Sequence, residues 1–223
     1  AIRLSLAIQQ ALGQTLKTKD ILQTPYIREW SHLLTSGTEK LKTYAKQESY
    51  PLTENQLGIY IDWEQHRESL QYNVPMAWKL TGAEPEKLRA AMEEILATHP
   101  YLKVHLGVKD GQVLQIRQDE AKGNILFKTL DAEPEAGFFQ SRVRPFDLLT
   151  DELYRMEIYK APEHTYLFLD IHHIIYDGGS ADILLQELAK AYGGQTLKPE
   201  ASSAYDYALY NQEWKDSPAF GDA

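Results

Sequence analysis

The sequence predicts an open two-layer α/β sandwich with a mixed sheet, preceded by a small helical segment. From about residue 51 onward, strand-period and helix-period stretches interleave, the mark of a sheet covered by helices. Asp110-Gly111 and Ala161-Pro162-Glu163 each join two neighbouring strand candidates and so demand antiparallel pairs. Residues 1 to about 35 carry helical patterning alone, in a length that can bury little surface by itself.

Taken in order, Ile2, Leu4, Leu6, Ala7, Ile8 and Leu12 give a helix that Gly13 ends. Leu16, Ile21 and Leu22 pin a loop and a short turn. Thr24 caps a last helix with Pro25 in its first position and Ile27, Trp30, Leu33 and Leu34 on one stripe. Residues 36–50 are polar and mixed in charge and read as a linker, with Leu41, Tyr44 and Ala45 able to form a short packed helix. After Pro51, Leu57, Ile59 and Tyr60 share the apolar face of a short helix. Tyr72 to Leu80 alternates through Val74, Met76, Trp78 and Leu80 as a half-buried strand. Leu88, Ala91, Met92, Ile95 and Leu96 stripe a helix that Pro85 opens and Pro100 closes. Tyr101–Val108 and Gln112–Arg117 form a hairpin, Ile125–Leu130 a further strand, and Glu133–Arg142 a helix. Leu153–Lys160 and His164–Ile171 form the second hairpin, and helices follow over Ala181–Tyr192 and about Ala204–Lys215.

Composition narrows the partners. A hydrophobic fraction of 43% suits a packed core, and a net charge of −9 argues against nucleic-acid backbones and anionic membranes. No apolar run reaches spanning length and no signal-peptide pattern opens the chain, so a cytoplasmic protein is expected. Zero cysteines remove disulfides, thiolate nucleophiles and sulfur-ligated metals together.

One stretch concentrates chemistry: His172-His173-Ile174-Ile175-Tyr176-Asp177-Gly178-Gly179-Ser180, between an apolar strand and a helix. By itself it admits three readings. A histidine at a strand end can serve as a base, with the carboxylate fixing its loop or protonation. Alternatively one histidine is buried and one exposed, while Asp177 only caps the helix. A metal held by His172, His173 and Asp177 is the third, against which stands the absence of the i, i+4 histidine spacing that helix-borne sites favour.

The remainder of the chain carries a resemblance. "AIRLSLAIQQALGQTLKTKDILQTPYIREWSHLL" resembles the C-terminal part of a peptidyl carrier domain of non-ribosomal peptide synthetases. From about Pro51 to the end, the chain resembles the N-terminal lobe of a synthetase condensation domain. "LTENQLGIY" resembles the opening motif, with Thr53 for its serine, Gln56 for its glutamine and Tyr60 for its tryptophan. "THPYLKVHL" keeps His99 and Leu102 of the second, while Lys103 replaces the usual arginine. "PFDLLTDELYRMEIY" carries Phe146-Asp147-Leu148, Leu153 and Arg155, and "HHIIYDGGS" matches HHxxxDG in full. "AYDYALYNQEW" matches at Asp206, Tyr207, Ala208 and Gln212, with Ser203 where the family has its first tyrosine.

The resemblance implies a carrier remnant over 1–36, a linker over 37–50, and a chloramphenicol-acetyltransferase-like lobe over 51–223. It implies amide formation, in which an acceptor aminoacyl amine attacks a donor acyl or peptidyl thioester, each borne on the 4'-phosphopantetheine arm of a carrier. The partners implied are carrier domains, a second condensation lobe and neighbouring synthetase domains, in secondary metabolism such as antibiotic or siderophore biosynthesis. The carrier's attachment serine is not in this sequence, and Ser5 is not its equivalent. His173 is implied as base or amine-positioning group, and His172 packs inward. Asp177 is structural and needs a cationic partner, which the family's arginine and here Lys103 would supply. Arg155 gives structural support, and a Gly178 or Gly179 amide faces the developing oxyanion or merely loosens the loop. His99 serves a helix end, and His105 shares a strand face with Lys103. Without a second lobe the chain alone is expected to be nearly inactive. An epimerisation domain, which shares HHxxxDG, and a non-catalytic carrier-docking module are the alternatives.

Overall fold

The computed structural model describes residues 4–5, 8, 14–16, 18–24, 26–30, 33–36, 42–200 and 202–216. The chain forms two compact units, 1–41 and 42–223.

In the first unit Leu4, Ser5 and Ile8 are helical, whereas most of the predicted opening helix, including its stop at Gly13, lies outside the described residues. Two short helices follow, α1 (Thr18–Gln23) and α2 (Ile27–Trp30). The unit is not purely helical as predicted, because β1 (Gln14–Thr15) pairs antiparallel with β2 (Thr35–Ser36). Leu16 and Trp30 are buried, and Trp30 Nε1 donates to the Thr24 carbonyl at 2.7 Å. Ile27, predicted on the packed stripe, is exposed. Pro25 lies outside the described residues.

The second unit holds two sheets. β4 (Asn73–Thr81), β9 (His164–His172), β8 (Tyr154–Lys160) and β7 (Leu126–Thr129) lie side by side in that order. The β7–β8 pair is parallel and the others antiparallel, the mixed sheet that the interleaved pattern predicts. The second sheet runs β3 (Ser49–Pro51), β6 (Gln112–Ile116), β5 (His105–Lys109), all antiparallel. Asp110 and Gly111, with φ of 51° and 75°, make the hairpin turn between β5 and β6. Positive φ at both central residues matches the right-handed strand twist, and an Asp-Gly pair adopts it at low cost. α3 (Glu54–Gln65), α4 (Pro85–Thr98), α5 (Gly178–Tyr192) and α6 (Ala204–Lys215) are the α-helices among the unit's described residues.

The predicted alternation in β4 places Val74, Met76, Trp78 and Leu80 against the core on one face, opposite Ile171, Leu169, Leu167 and Thr165 of β9. That face packs Met156 and Ile158 with Leu88, Met92, Ile95 and Leu96 of α4. The other face packs Tyr159, Tyr166 and Phe168 against Phe138, Phe139 and Val143.

Several local predictions are corrected. Residues 133–135 are irregular and 136–139 a turn that runs into a short 3-10 stretch at Gln140–Arg142, because Gly137 at φ 91° interrupts any helix there. Pro100–Lys103 is a 3-10 turn, so the strand begins only at His105. α3 buries Gln56, Tyr60 and Trp63, leaving Leu57 exposed, since a polar network claims Gln56. Residues 42–48 form no helix. They are tied to α6, where Tyr44 N–H donates to Asp206 at 2.9 Å and Lys42 pairs with Glu213 at 2.9 Å.

Candidate active site

β9 carries its ladder to the histidine pair. His172 is the strand's last residue, opposite Asn73, and its N–H still reaches the Leu153 carbonyl at 2.9 Å. His173 N–H donates to Tyr72 O at 2.8 Å, which holds the backbone at the next residue also. The chain then leaves the sheet, and the two rings part company.

His172 is buried at 3% exposure, with its ring 5.5 Å from Phe146 edge-on and 5.8 Å from Tyr72. Its Nδ1 accepts the Ile174 N–H at 3.2 Å, which requires an unprotonated nitrogen there. Burial, with the charges of His173 and Arg155 adding to it, pushes this imidazole down to about 4. It is neutral at physiological pH. His173 is exposed, and it edges an open hollow of about 340 Å³ that Thr53, Gln56, Tyr101, Asp177 and Tyr207 help to line.

Asp177 is the N-cap of α5, with extended backbone and an oxygen that accepts the Ser180 N–H at 2.8 Å and hydroxyl at 2.7 Å. The Ser180 hydroxyl, outweighing burial and aided by the Ser180 and Gly179 amides, holds its carboxyl below the usual range. It is exposed, not buried, and so needs no cation. Gly178 opens the helix, and a Cβ there would meet nothing within 4 Å.

Lys103 does not bridge to Asp177. Its Nζ donates to the carbonyls of Asp119 at 2.6 Å and Ala121 at 3.0 Å, because the turn at Pro100–Lys103 aims the stem at that loop. The loss of a continuous strand also removes the shared face expected for Lys103 and His105. Arg155 is buried on β8. Its guanidinium bonds Asp170 at 2.9 Å and the carbonyls of Arg144 and Pro145 at 2.7 and 2.8 Å, and stacks 3.6 Å from the Phe146 ring centroid. Phe146 thus touches both Arg155 and His172, which gives the Phe146-Asp147-Leu148 motif a physical task.

A second hollow of about 260 Å³ adjoins the first, with Tyr101, Ile175, Tyr176, Ser180 and Ala204 common to both. Ile183, expected on the buried stripe of α5, is exposed and lines it. His99 closes one side. It is the C-cap of α4, as predicted, and is pinned between Glu187 and Glu200. A hydrogen bond donated to the Glu200 carboxylate, opposed by burial and reinforced by Glu187, raises its imidazole to about 9.

Sequence reasoning missed Tyr101 and Gln115, and saw Gln56 only as a motif letter. Gln56 Nε2 lies 3.0 Å from the Ile174 carbonyl, 2.8 Å from Tyr101 Oη and 3.2 Å from Gln115 Oε1. The Tyr101 hydroxyl donates to Gln115 Oε1 at 2.6 Å, and Gln115 Nε2 donates to Pro51 O at 2.7 Å. One signal was available: Gln115 falls on the same strand face as Val113, where an apolar residue is the norm.

Comparison with known proteins follows the same outline. Surfactin synthase subunit 1 of Bacillus subtilis (strain 168) is 30% identical over 220 residues, covering 96% of this chain and 6% of that protein. Bacitracin synthase 3 of Bacillus licheniformis is 30% identical over 216 residues, covering 96% of this chain and 3% of its own length. The chain therefore spans a small part of the synthetases it matches. Among solved structures, the X-domain from teicoplanin biosynthesis superposes with TM-score 0.70 at 24% identity, over 82% of this chain and 42% of that one. The starter condensation domain of rhizomide synthetase RzmA gives TM-score 0.67 at 19% identity, over 77% and 46%. These likenesses establish the fold. The Condensation domain family matches residues 46–222, the span that holds the histidine pair, its capped loop and both sheets, and the chain belongs to that family of peptide-synthetase domains.

Proposed function

We propose that this chain contributes the histidine-bearing side of a site that forms peptide bonds between carrier-borne thioesters, with His173 acting on the acceptor amine. The carrying observation is the division of labour in the pair. His172 is buried and neutral with its Nδ1 committed to the Ile174 amide, while His173 stands exposed at a hollow, fixed through its own backbone N–H.

In this reading the amine nitrogen attacks the donor thioester carbon, a C–N bond forms, and His173 accepts the proton the nitrogen sheds. Collapse breaks the C–S bond, and the proton follows the departing thiolate. Proton acceptance of this kind supplies roughly 10²- to 10⁴-fold, and alignment of two tethered substrates supplies the larger share. The pantetheine arm brings the thioester and is held by carriers rather than by this chain. The open space at Gly178 suits close approach of such an arm. Residues 1–36 stand in this proposal as part of a preceding carrier domain.

The test is His173→Ala in the protein that carries this chain, with loaded donor and acceptor carriers. Product formation is expected to fall by roughly 10²- to 10⁴-fold, and turnover equal to the parent's would overturn the reading. Solvent exchange of the donor α-hydrogen without amide formation would assign an epimerase instead.

A further inference from the structure

We propose that Gln56 is a positioning residue for His173, acting through the carbonyl of Ile174; this rests on the role given to His173 above. The loop from His173 to Asp177 has few anchors beyond its own residues. Its start is tied to Tyr72 O and its end to the α5 cap, and Ile174 N–H turns back to the His172 ring. The carbonyl of Ile174 is held from another element, by Gln56 Nε2 at 3.0 Å. That carbonyl belongs to the residue immediately after His173. A shift there moves the Ile174–Ile175 peptide and, through the Ile174 Cα, the peptide unit that follows His173.

Gln56 is itself held at its other end. Its Oε1 accepts from Thr53 N–H at 3.0 Å and Thr53 Oγ at 3.2 Å, the reciprocal half of the α3 capping box. Its amide orientation is also forced. The nitrogen faces a backbone carbonyl, which can only accept, so the oxygen must face the helix N-terminus. Tyr101 and Gln115 brace the same nitrogen, and Gln115, fully buried, passes the bracing to Pro51 O on β3. The small sheet and α3 thereby fix a loop that the large sheet presents. A buried network with each member paired restrains its atoms more tightly than surface bonds do.

Two variants in the protein carrying this chain test the proposal. Gln56→Met keeps the length and removes every one of these side-chain bonds, and Gln56→Glu keeps the cap acceptor but opposes an oxygen to the Ile174 carbonyl. For each we expect kcat of condensation to fall roughly tenfold to hundredfold, the scale of a displaced reacting group, with KM for both carriers unchanged. The imidazole NMR signals of His173 should move while those of His66 and His164 stay. Parental kcat, or a loss confined to KM with His173 signals unmoved, would overturn the proposal. If His173→Ala is itself silent, the functional reading fails. If His173→Ala is inactive and Gln56→Met is as fast as the parent, the positioning role alone fails. Should neither variant fold, the parent chain decides: slow exchange of the Gln56 side-chain amide protons supports the bond, and exchange as fast as exposed Gln195 removes it.

Discussion

The two faces of the four-stranded sheet are stabilised by different physics. On the face toward α4, Leu167, Leu169, Ile171, Met156 and Ile158 are apolar and buried, and hydrophobic packing suffices. On the opposite face Arg155, Glu157 and Asp170 are buried beside Tyr159 and Phe168. Here the fold depends on pairing. Burial pushes Glu157 up, but the Arg142 fork at 2.8 and 2.9 Å and the Tyr159 hydroxyl more than offset it, and its carboxyl stays below the usual range. Asp170 fares differently. Burial raises it, and its bonds to Asn73 and Arg155 do not offset that, since Oδ2 takes both partners while Oδ1 has none. The contrast teaches that a buried carboxylate's state follows both the number of its partners and how they divide between its oxygens: Glu157 accepts three bonds over both oxygens, Asp170 two on one. His172 ends the same face, and so the polar side of the sheet leads directly to the candidate site.

The largest expected effect breaks that face. Arg155→Ala strands Asp170 and should cost about 3–5 kcal/mol at neutral pH, by chemical denaturation. Leu169→Ala on the apolar face should cost about 2–5 kcal/mol from lost contact and cavity formation. The pair is separated by pH. Asp170 holds its proton more tightly folded than unfolded, so stability recovers as pH falls through the folded value toward the ordinary ~3.9. The Arg155→Ala deficit should therefore shrink as pH falls from neutral toward the ordinary carboxylate range, and the Leu169→Ala deficit should not. Equal pH dependence would erase the distinction between the faces.

His172 sharpens the comparison with a smaller effect. Its folded value of about 4 lies below the ordinary ~6.5, so its contribution is intact above 6.5 and is lost as pH falls from there toward 4. Full loss amounts to about 3 kcal/mol. His172→Gln, which keeps an acceptor for Ile174 N–H, should flatten this limb of the stability–pH curve, and an unchanged limb would place the ring in water. The smallest structural effect belongs to Gly178→Ala. With free space at its Cβ and a helical position, stability should change by at most about 1 kcal/mol, toward gain. Thermal melting checks that, and a parallel fall in turnover would show that substrate uses the space.

Legibility followed the range of the forces involved. The strand alternation of β4, the Asp-Gly hairpin and the apolar stripe of α4 depend on neighbours a few residues away, and the sequence displays them directly. Asp177 as a cap was also readable, because Asp and Ser three apart before an apolar run state their own hydrogen bond. The Lys103–Asp177 bridge was not. It borrowed a partner from the family's arginine, whereas a lysine with three donors is satisfied wherever two carbonyls converge. The helix expected over 133–142 failed at a glycine whose backbone sign no pattern reveals.

The sequence by itself determined the two-layer mixed α/β class and the place of His172 and His173 at a strand end, since both follow from local periodicity and turn chemistry. Which histidine is buried, which ion pairs share the sheet's polar face, and which glutamine grips the loop were decided only by the tertiary structure. Burial and long-range hydrogen bonds join residues 15 to 118 positions apart, such as Arg155 with Asp170 and Gln56 with Ile174, and no spacing along the chain encodes those meetings.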